Sequence, residues 1–307
     1  MALTATLLFA TLGCVGSPAP KAPRERWTPG LEQLIPEDVD LVAKIDWAGA
    51  RKATVDDAVK QVLRDAELPA AVLDAIEGCL ADAEALRIAV RLGPNGFDGD
   101  VMAVVTGLPS GAKPGQVPCG AKGWKYTGTK RELQVFEPVT RSAARSAGAL
   151  MLRSERGGVA VVTPGQVDAL LRVLRDGPDG ERLDPKGDGV LVLEAKLNDT
   201  LLPDAWKAQA PTLSDMAYGL MDAKIRVQVN ESIKVRAALT YVDDSAADKA
   251  GKKLHEVRDA ILESDRPVFV SVAKSAHASV QGELLRLELT IPRTSGEVAP
   301  PAEDGDR

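Results

Sequence analysis

Ser271 and Lys274 stand three residues apart in Ser271-Val272-Ala273-Lys274. On a helix that spacing puts both side chains on one face, where the amine can activate the hydroxyl as a nucleophile. Enzymes built on this pair also carry Ser-Asp-Asn and Lys-Thr-Gly elements, and the chain contains neither. Its two histidines are far from a metal-binding pattern. His255 lies in Leu254-His255-Glu256-Val257-Arg258 without the second histidine of a zinc helix, and His277 sits in a polar stretch. Two acidic stretches offer oxygen ligands, Asp98 with Asp100 and the run Asp176, Asp179, Glu181, Asp184, Asp188. Neither has the alternate spacing and closing Glu of a calcium loop, so solvated turn acids are expected. No Gly-rich phosphate loop and no Gly-x-Ser-x-Gly elbow occurs. The expectation is a chain with no cofactor, no metal centre and no catalytic residues of a recognisable kind.

What must position any function is an ordinary folded body. The 307 residues are 45% hydrophobic and 27% charged, which excludes wholesale disorder and a polytopic membrane protein. Aromatic residues are only 4%, so the core has to be built from Ala, Val, Leu and Ile. A net charge of -6 argues against a nucleic-acid partner.

The N-terminus sets the compartment. Residues 2–13 carry no charge, and Leu3, Leu7, Leu8, Phe9, Ala10 and Leu12 form an apolar run too short to span a bilayer but of signal-peptide length. It ends at Thr11-Leu12-Gly13-Cys14, followed by Val15-Gly16-Ser17-Pro18-Ala19-Pro20. This resembles the lipobox of bacterial lipoproteins, in which a small residue precedes a cysteine that is lipidated and becomes the mature N-terminus. The family places Leu three before the cysteine and a small residue two before; Thr11 and Leu12 stand there. The resemblance implies a signal peptide over 1–13, lipidation at Cys14 and a Pro/Ala/Ser-rich tether over 14–29. It further implies a membrane partner through the anchor and a body facing the periplasm. No Asp follows Cys14, which in such lipoproteins leans toward the outer membrane. Several acyl chains anchor stably where one does not. A plain cleaved signal peptide ending near Gly16 or Ala19 is the alternative.

With Cys14 taken by the anchor, Cys79 and Cys119 remain, and the implied compartment is oxidising. The pair would close a loop of 40 residues, contributing roughly 3–4 kcal/mol. The other reading leaves Cys79 a buried thiol, because it falls on an apolar helix stripe.

Periodicity divides the chain into a first half over 30–175, a polar linker loop over 176–189, a second half over 190–292 and a disordered tail over 293–307. The first half begins with a strand, Asp40–Trp47. Helices follow, with apolar stripes at Val55, Val59, Val62 and at Val72, Ile76, Cys79. Two alternating segments, 86–92 and 101–108, flank turn-rich residues 93–100 and read as a hairpin with a long loop. Short strands over 124–127, 133–136, 149–153 and 159–163 precede a helix opened by Pro164. The second half reads as a strand at 190–197, helix or broken helix over 203–218, two strands at 223–229 and 233–241, a helix over 245–264 and a last strand at 284–292. Pro267–Ala276 is ambiguous. The order strand, helices, hairpin, helix occurs twice. The expected class is α+β: two similar strand–helix–hairpin halves, largely antiparallel sheet, helices packed on one face.

Charge is uneven. Residues 121–156 hold eight basic residues against three acidic ones, a local +5 in a chain of -6. Lys122, Lys125, Lys130, Arg131, Arg141 and Arg145, with Arg153 and Arg156, form a candidate basic surface for anionic headgroups or an acidic envelope partner. The alternative is a solvated sheet face balanced by neighbours. The functional expectation is a cell-envelope lipoprotein, a binding or scaffolding protein without catalytic machinery. The alternatives are an envelope hydrolase with an unrecognised site, or a small-ligand or lipid carrier using a groove between the halves.

Overall fold

The structure, a computed structural model, describes residues 30–292 apart from 66, 67, 69, 94, 95, 111, 112, 140–147, 179, 198–210 and 264–266. The signal segment, Cys14, the tether, Arg141, Arg145 and the tail lie outside the described residues.

Among the described residues, twelve antiparallel strands form one continuous sheet. The first seven are β1 Leu41–Asp46, β2 Ala85–Gly93, β3 Gly96–Thr106, β4 Trp124–Lys130, β5 Leu133–Pro138, β6 Leu150–Ser154 and β7 Gly158–Val162. The rest are β8 Leu191–Lys196, β9 Leu220–Val229, β10 Ser232–Tyr241, β11 His277–Gln281 and β12 Leu284–Pro292. Their order is β11-β12-β10-β9-β8-β1-β2-β3-β7-β6-β5-β4. Among the described residues the helices are α1 Trp47–Lys52, α2 Asp56–Asp65, α3 Ala70–Leu80, α4 Pro164–Asp176, α5 Pro211–Ala217, α6 Asp244–Leu262 and α7 Pro267–Ser275. Short 3-10 turns occur at Leu31–Leu34 and Pro118–Gly120. The α+β class with a large antiparallel sheet is therefore what the chain adopts.

Helices cover both faces of the sheet, not one. The cause is in Val101–Val105 of β3 and in β7, which are apolar on every residue rather than on alternate ones. Ala103, Val105, Val159 and Val161 face one side and pack with α3 residues Ile76 and Leu80. Met102, Val104, Ala160 and Val162 face the other and pack with Leu170, Val173 and Leu174 of α4. A strand apolar on both faces needs cover on both. In the second half the strands alternate. Ala195, Ala223, Tyr241 and Leu285 turn to the α1–α3 side, where Ala246, Ala247 and Ala250 of α6 meet them. Burial pushes the Tyr241 phenol up to about 12, and its hydroxyl donates to the Met216 carbonyl at 2.8 Å.

Local chemistry moves several boundaries. The first strand stops at Asp46, one residue short of Trp47, because the Asp46 carboxylate accepts from the Gly49 N–H at 2.9 Å and caps α1. The expected long loop over 93–100 is mostly strand, since pairing of β2 with β3 continues to Gly93 opposite Gly96. Arg91 ties that end together, bridging Asp38 at 2.9 Å and Asp100 at 2.5 Å. Pro267–Ser275 is helical, and His277–Gln281 is a strand that alternation did not indicate.

Candidate ligand hollow on the open sheet face

The α4 face of the sheet ends abruptly. Beyond β1 no helix among the described residues covers it, and the strands turn charged residues outward. Register alone arranges them. Glu194, Lys224, Ala238 and Arg286 are successive cross-strand neighbours on β8, β9, β10 and β12, and Val192, Arg226, Arg236 and Glu288 form the adjacent row. Ala238 leaves only a methyl group in the middle of the first row. Arg226 directly faces Arg236, a like-charge pairing that costs free energy in a sheet.

One wall of this surface is the segment after α4. Residues 180–189 run back along the sheet instead of standing clear of it. Leu183 is buried in the core beneath α4, Asp184 pairs with Arg87 at 3.2 Å, and an Arg182 Nη1 donates to the Gln33 carbonyl. Together strap and sheet border a half-open hollow of about 490 Å³. Gly187, at φ 122°, lets Arg226 lie against the strap, since a Cβ there would overlap Arg226 Nη2. That Nη2 donates to the Lys186 carbonyl at 3.2 Å.

The electrostatics are lopsided. The lining holds six basic and four acidic residues. Glu194 is committed to Lys224 at 3.0 Å, which raises the lysine pKa, and Glu288 to Arg236 at 3.2 Å. Arg182 is half-buried, and desolvation lowers its pKa despite the nearby Glu37. Its Nε and Nη2 are buried without a hydrogen-bond partner, as is Arg87 Nε. Polar atoms left so are uncommon and mark places where a further group can bind. Chemically the hollow can bind a small molecule.

The sequence-predicted residues lie elsewhere. Cys79 and Cys119 are joined in a disulfide with Cα atoms 4.8 Å apart. Lys122, Lys125, Lys130 and Arg131 are all exposed on or beside β4, one of the two edge strands. Lysines on a sheet edge also block pairing with another chain. Arg131 donates to the Arg175 carbonyl at 2.9 Å. Arg153 does not belong to that surface. It is buried, and its guanidinium donates to the Gln116 carbonyl at 3.2 Å. Ser271 and Lys274 are exposed on α7, His255 on α6 and His277 on β11. No group of metal-ligating side chains assembles among the described residues, and no helix there is long and apolar enough to cross a membrane. The hollow itself escaped the sequence reading. Its one signal is basic residues of equal parity on β9 and β10, at Lys224, Arg226, Lys234 and Arg236.

No protein-family model and no curated protein matches this chain. Among solved structures it is similar to TP0453 in its crystal form I, with a TM-score of 0.53 at 13% identity, covering 87% of this chain and 95% of that one. Crystal form III of TP0453 gives 0.51 at 12% identity, covering 85% and 93%. At such identities the likeness is one of fold.

Proposed function

We propose that this chain is a binding protein of the bacterial cell envelope, held at the membrane by lipidated Cys14, facing the periplasm, and working without catalysis. The observation that carries the binding reading is the hollow: about 490 Å³, strapped on one side and walled by charged side chains. That volume is in the range of small-molecule sites. The Cys79–Cys119 bridge supports the compartment, because such bonds persist where thiols are not kept reduced. The exposed Lys122, Lys125, Lys130 and Arg131 would meet anionic headgroups near the anchor, with the outer membrane as the membrane proposed.

A duplicated architecture belongs to the same reading. From the centre outward the strands run β1-β2-β3-β7-β6 on one side and β8-β9-β10-β12-β11 on the other. Each half makes the same hairpin and returns by the same crossing, which supports two similar halves joined at the antiparallel β1–β8 pair. They differ in their insertions: the first carries β4 and β5 where the second carries α6 and α7. The strapped hollow then arises because α4 covers only the first half.

One experiment tests both parts. The full chain, expressed in a bacterial host and labelled with radioactive palmitate, is expected to carry label that Cys14→Ser abolishes. Native mass spectrometry of the same preparation is expected to release a small molecule from the wild type. Ala238→Trp, which fills the floor of the hollow, is expected to lose it. Unlabelled wild type beside a labelled control lipoprotein would remove the anchor. Equal release from both proteins, or none from either, would remove the hollow as a binding site.

A further inference from the structure

We infer that the hollow takes a small organic anion, presenting a phosphate or carboxylate group to Arg226 and Arg286 with Lys186 beside it. The inference rests on the binding reading above and adds the chemical class of the ligand.

Charge pairing carries the argument. Every carboxylate on the lining is already held by a cation: Glu194 by Lys224 at 3.0 Å, Glu288 by Arg236 at 3.2 Å, Asp184 by Arg87 at 3.2 Å, Glu181 by Lys196 at 3.6 Å. Cations remain. Among the described residues Arg286 and Lys186 have no carboxylate within ion-pair distance, and Arg226 has only the Lys186 carbonyl. In a chain of net charge -6 this is a concave site of uncompensated positive charge. Concave walls focus such a field and draw anions in.

Geometry fixes where the anionic group sits. Lys224 and Arg286 flank Ala238 in one cross-strand row, two strand spacings apart. That is roughly 10 Å, wide enough for a tetrahedral or planar oxyanion over the alanine. Arg226 and Arg236 face each other in the next row. An anion between them turns a repulsive pair into an attractive one, and the guanidinium fork suits phosphate and carboxylate oxygens. The hollow is far larger than a bare oxyanion, so the ligand carries an organic body, which Ala238 and Val192 can touch.

The same anionic group could come from a soluble metabolite or from a phospholipid headgroup, and the test separates them. Citrate and glycerol 3-phosphate are titrated calorimetrically into the full chain at low ionic strength, and phosphatidylglycerol vesicles are tested by co-sedimentation. At least one probe is expected to bind. Its affinity should fall about tenfold in Arg286→Gln and about a hundredfold in the Arg226→Gln/Arg286→Gln double variant. Lys249→Gln/Lys252→Gln, which removes two exposed charges from α6, is the charge-matched control and is expected to bind as wild type. Binding of a soluble probe assigns a soluble ligand, and binding of vesicles alone assigns a headgroup. Failure of all three probes overturns the inference, as does equal weakening in the control. A neutral molecule released from the wild type and lost in Ala238→Trp would overturn the anion while leaving the hollow as the binding site. Unchanged unfolding midpoints of the variants exclude misfolding as the cause of a loss.

Discussion

Replacing Trp47 by Ala is expected to cost about 3–5 kcal/mol of stability. Trp47 has no exposed surface and opens α1 beneath the first helical layer. Its Nε1 donates to the Leu80 carbonyl at 2.7 Å, at the end of α3. Arg51, one turn on, reaches the same helix end, donating to the Leu80 carbonyl at 3.4 Å and the Ala83 carbonyl at 2.7 Å. A helix's last carbonyls have no partners within the helix, so α1 caps α3 from the side, and Trp47 combines that cap with the filling of the core. The other buried tryptophan among the described residues separates the two contributions. Trp124 lies in the same cluster, but its Nε1 has no hydrogen-bond partner. Each Trp→Phe change removes similar volume. Trp47→Phe is therefore expected to cost about 1 kcal/mol more than Trp124→Phe, the net worth of one buried hydrogen bond. Urea denaturation measures both through the midpoint at unchanged slope. Equal costs for the two Phe variants would mean that the Leu80 contact contributes nothing.

How much of this was legible in the sequence depends on whether the cause was local. The last strand is legible at its observed bounds, Leu284–Pro292, because Leu285, Leu287 and Leu289 alternate with Arg286, Glu288 and Thr290. Helix α4 was equally plain, with Pro164 at its start and Gly177 beyond its end. The connection between 127 and 133 is tighter than the sequence suggests, a two-residue turn, because Arg131 and Glu132 both adopt positive φ, 46° and 67°, where Gly or Asn would have announced it. β11 hid because only Ala278 and Val280 alternate in it, between a helix and Gly282. The two-sided cover of β3 and β7 was readable in principle, since Val101–Val105 and Val159–Val162 are unbroken apolar runs, and such runs call for helices on both faces. The hollow was not readable from any one segment. Lys224, Arg226, Arg236 and Arg286 each look like the solvent side of an alternating strand. Only the antiparallel register of β9, β10 and β12 gathers them, and only the return of Leu183 to the α4 core brings the strap across. The acids of that strap read as a polar linker because composition records charge but not the buried leucine among them.

Breaking the Cys79–Cys119 bond is expected to lower stability by about 3–4 kcal/mol, and unequally from its two ends. The bond spans 40 positions and encloses the whole β2–β3 hairpin, so its loss frees a long loop in the unfolded chain. The two half-cystines differ in surroundings. Cys79 is buried on α3 among Ile76, Leu80 and Val72, while Cys119 is half-buried in the 3-10 turn at Pro118–Gly120. Cys119→Ser leaves a thiol in the core, where a thiol behaves as a small apolar group. Cys79→Ser instead leaves a hydroxyl there and is expected to cost a further 1–2 kcal/mol or so. Cys79→Ala should fall between them, closer to Cys119→Ser, since it trades the hydroxyl for a small cavity. Denaturant unfolding with and without dithiothreitol checks this. Wild type in reductant is expected to unfold at the Cys119→Ser midpoint, and Cys119→Ser itself to be indifferent to reductant. A wild type insensitive to reductant, with two alkylatable thiols in the unfolded chain before any is added, would mean that the bond does not form. The size of the loss also bears on where the chain can work. Natural domains are stable by about 5–15 kcal/mol, so 3–4 kcal/mol is a large share of the total. A chain that depends on this bond folds best where cysteines are oxidised, which is the compartment that the Cys14 reading requires.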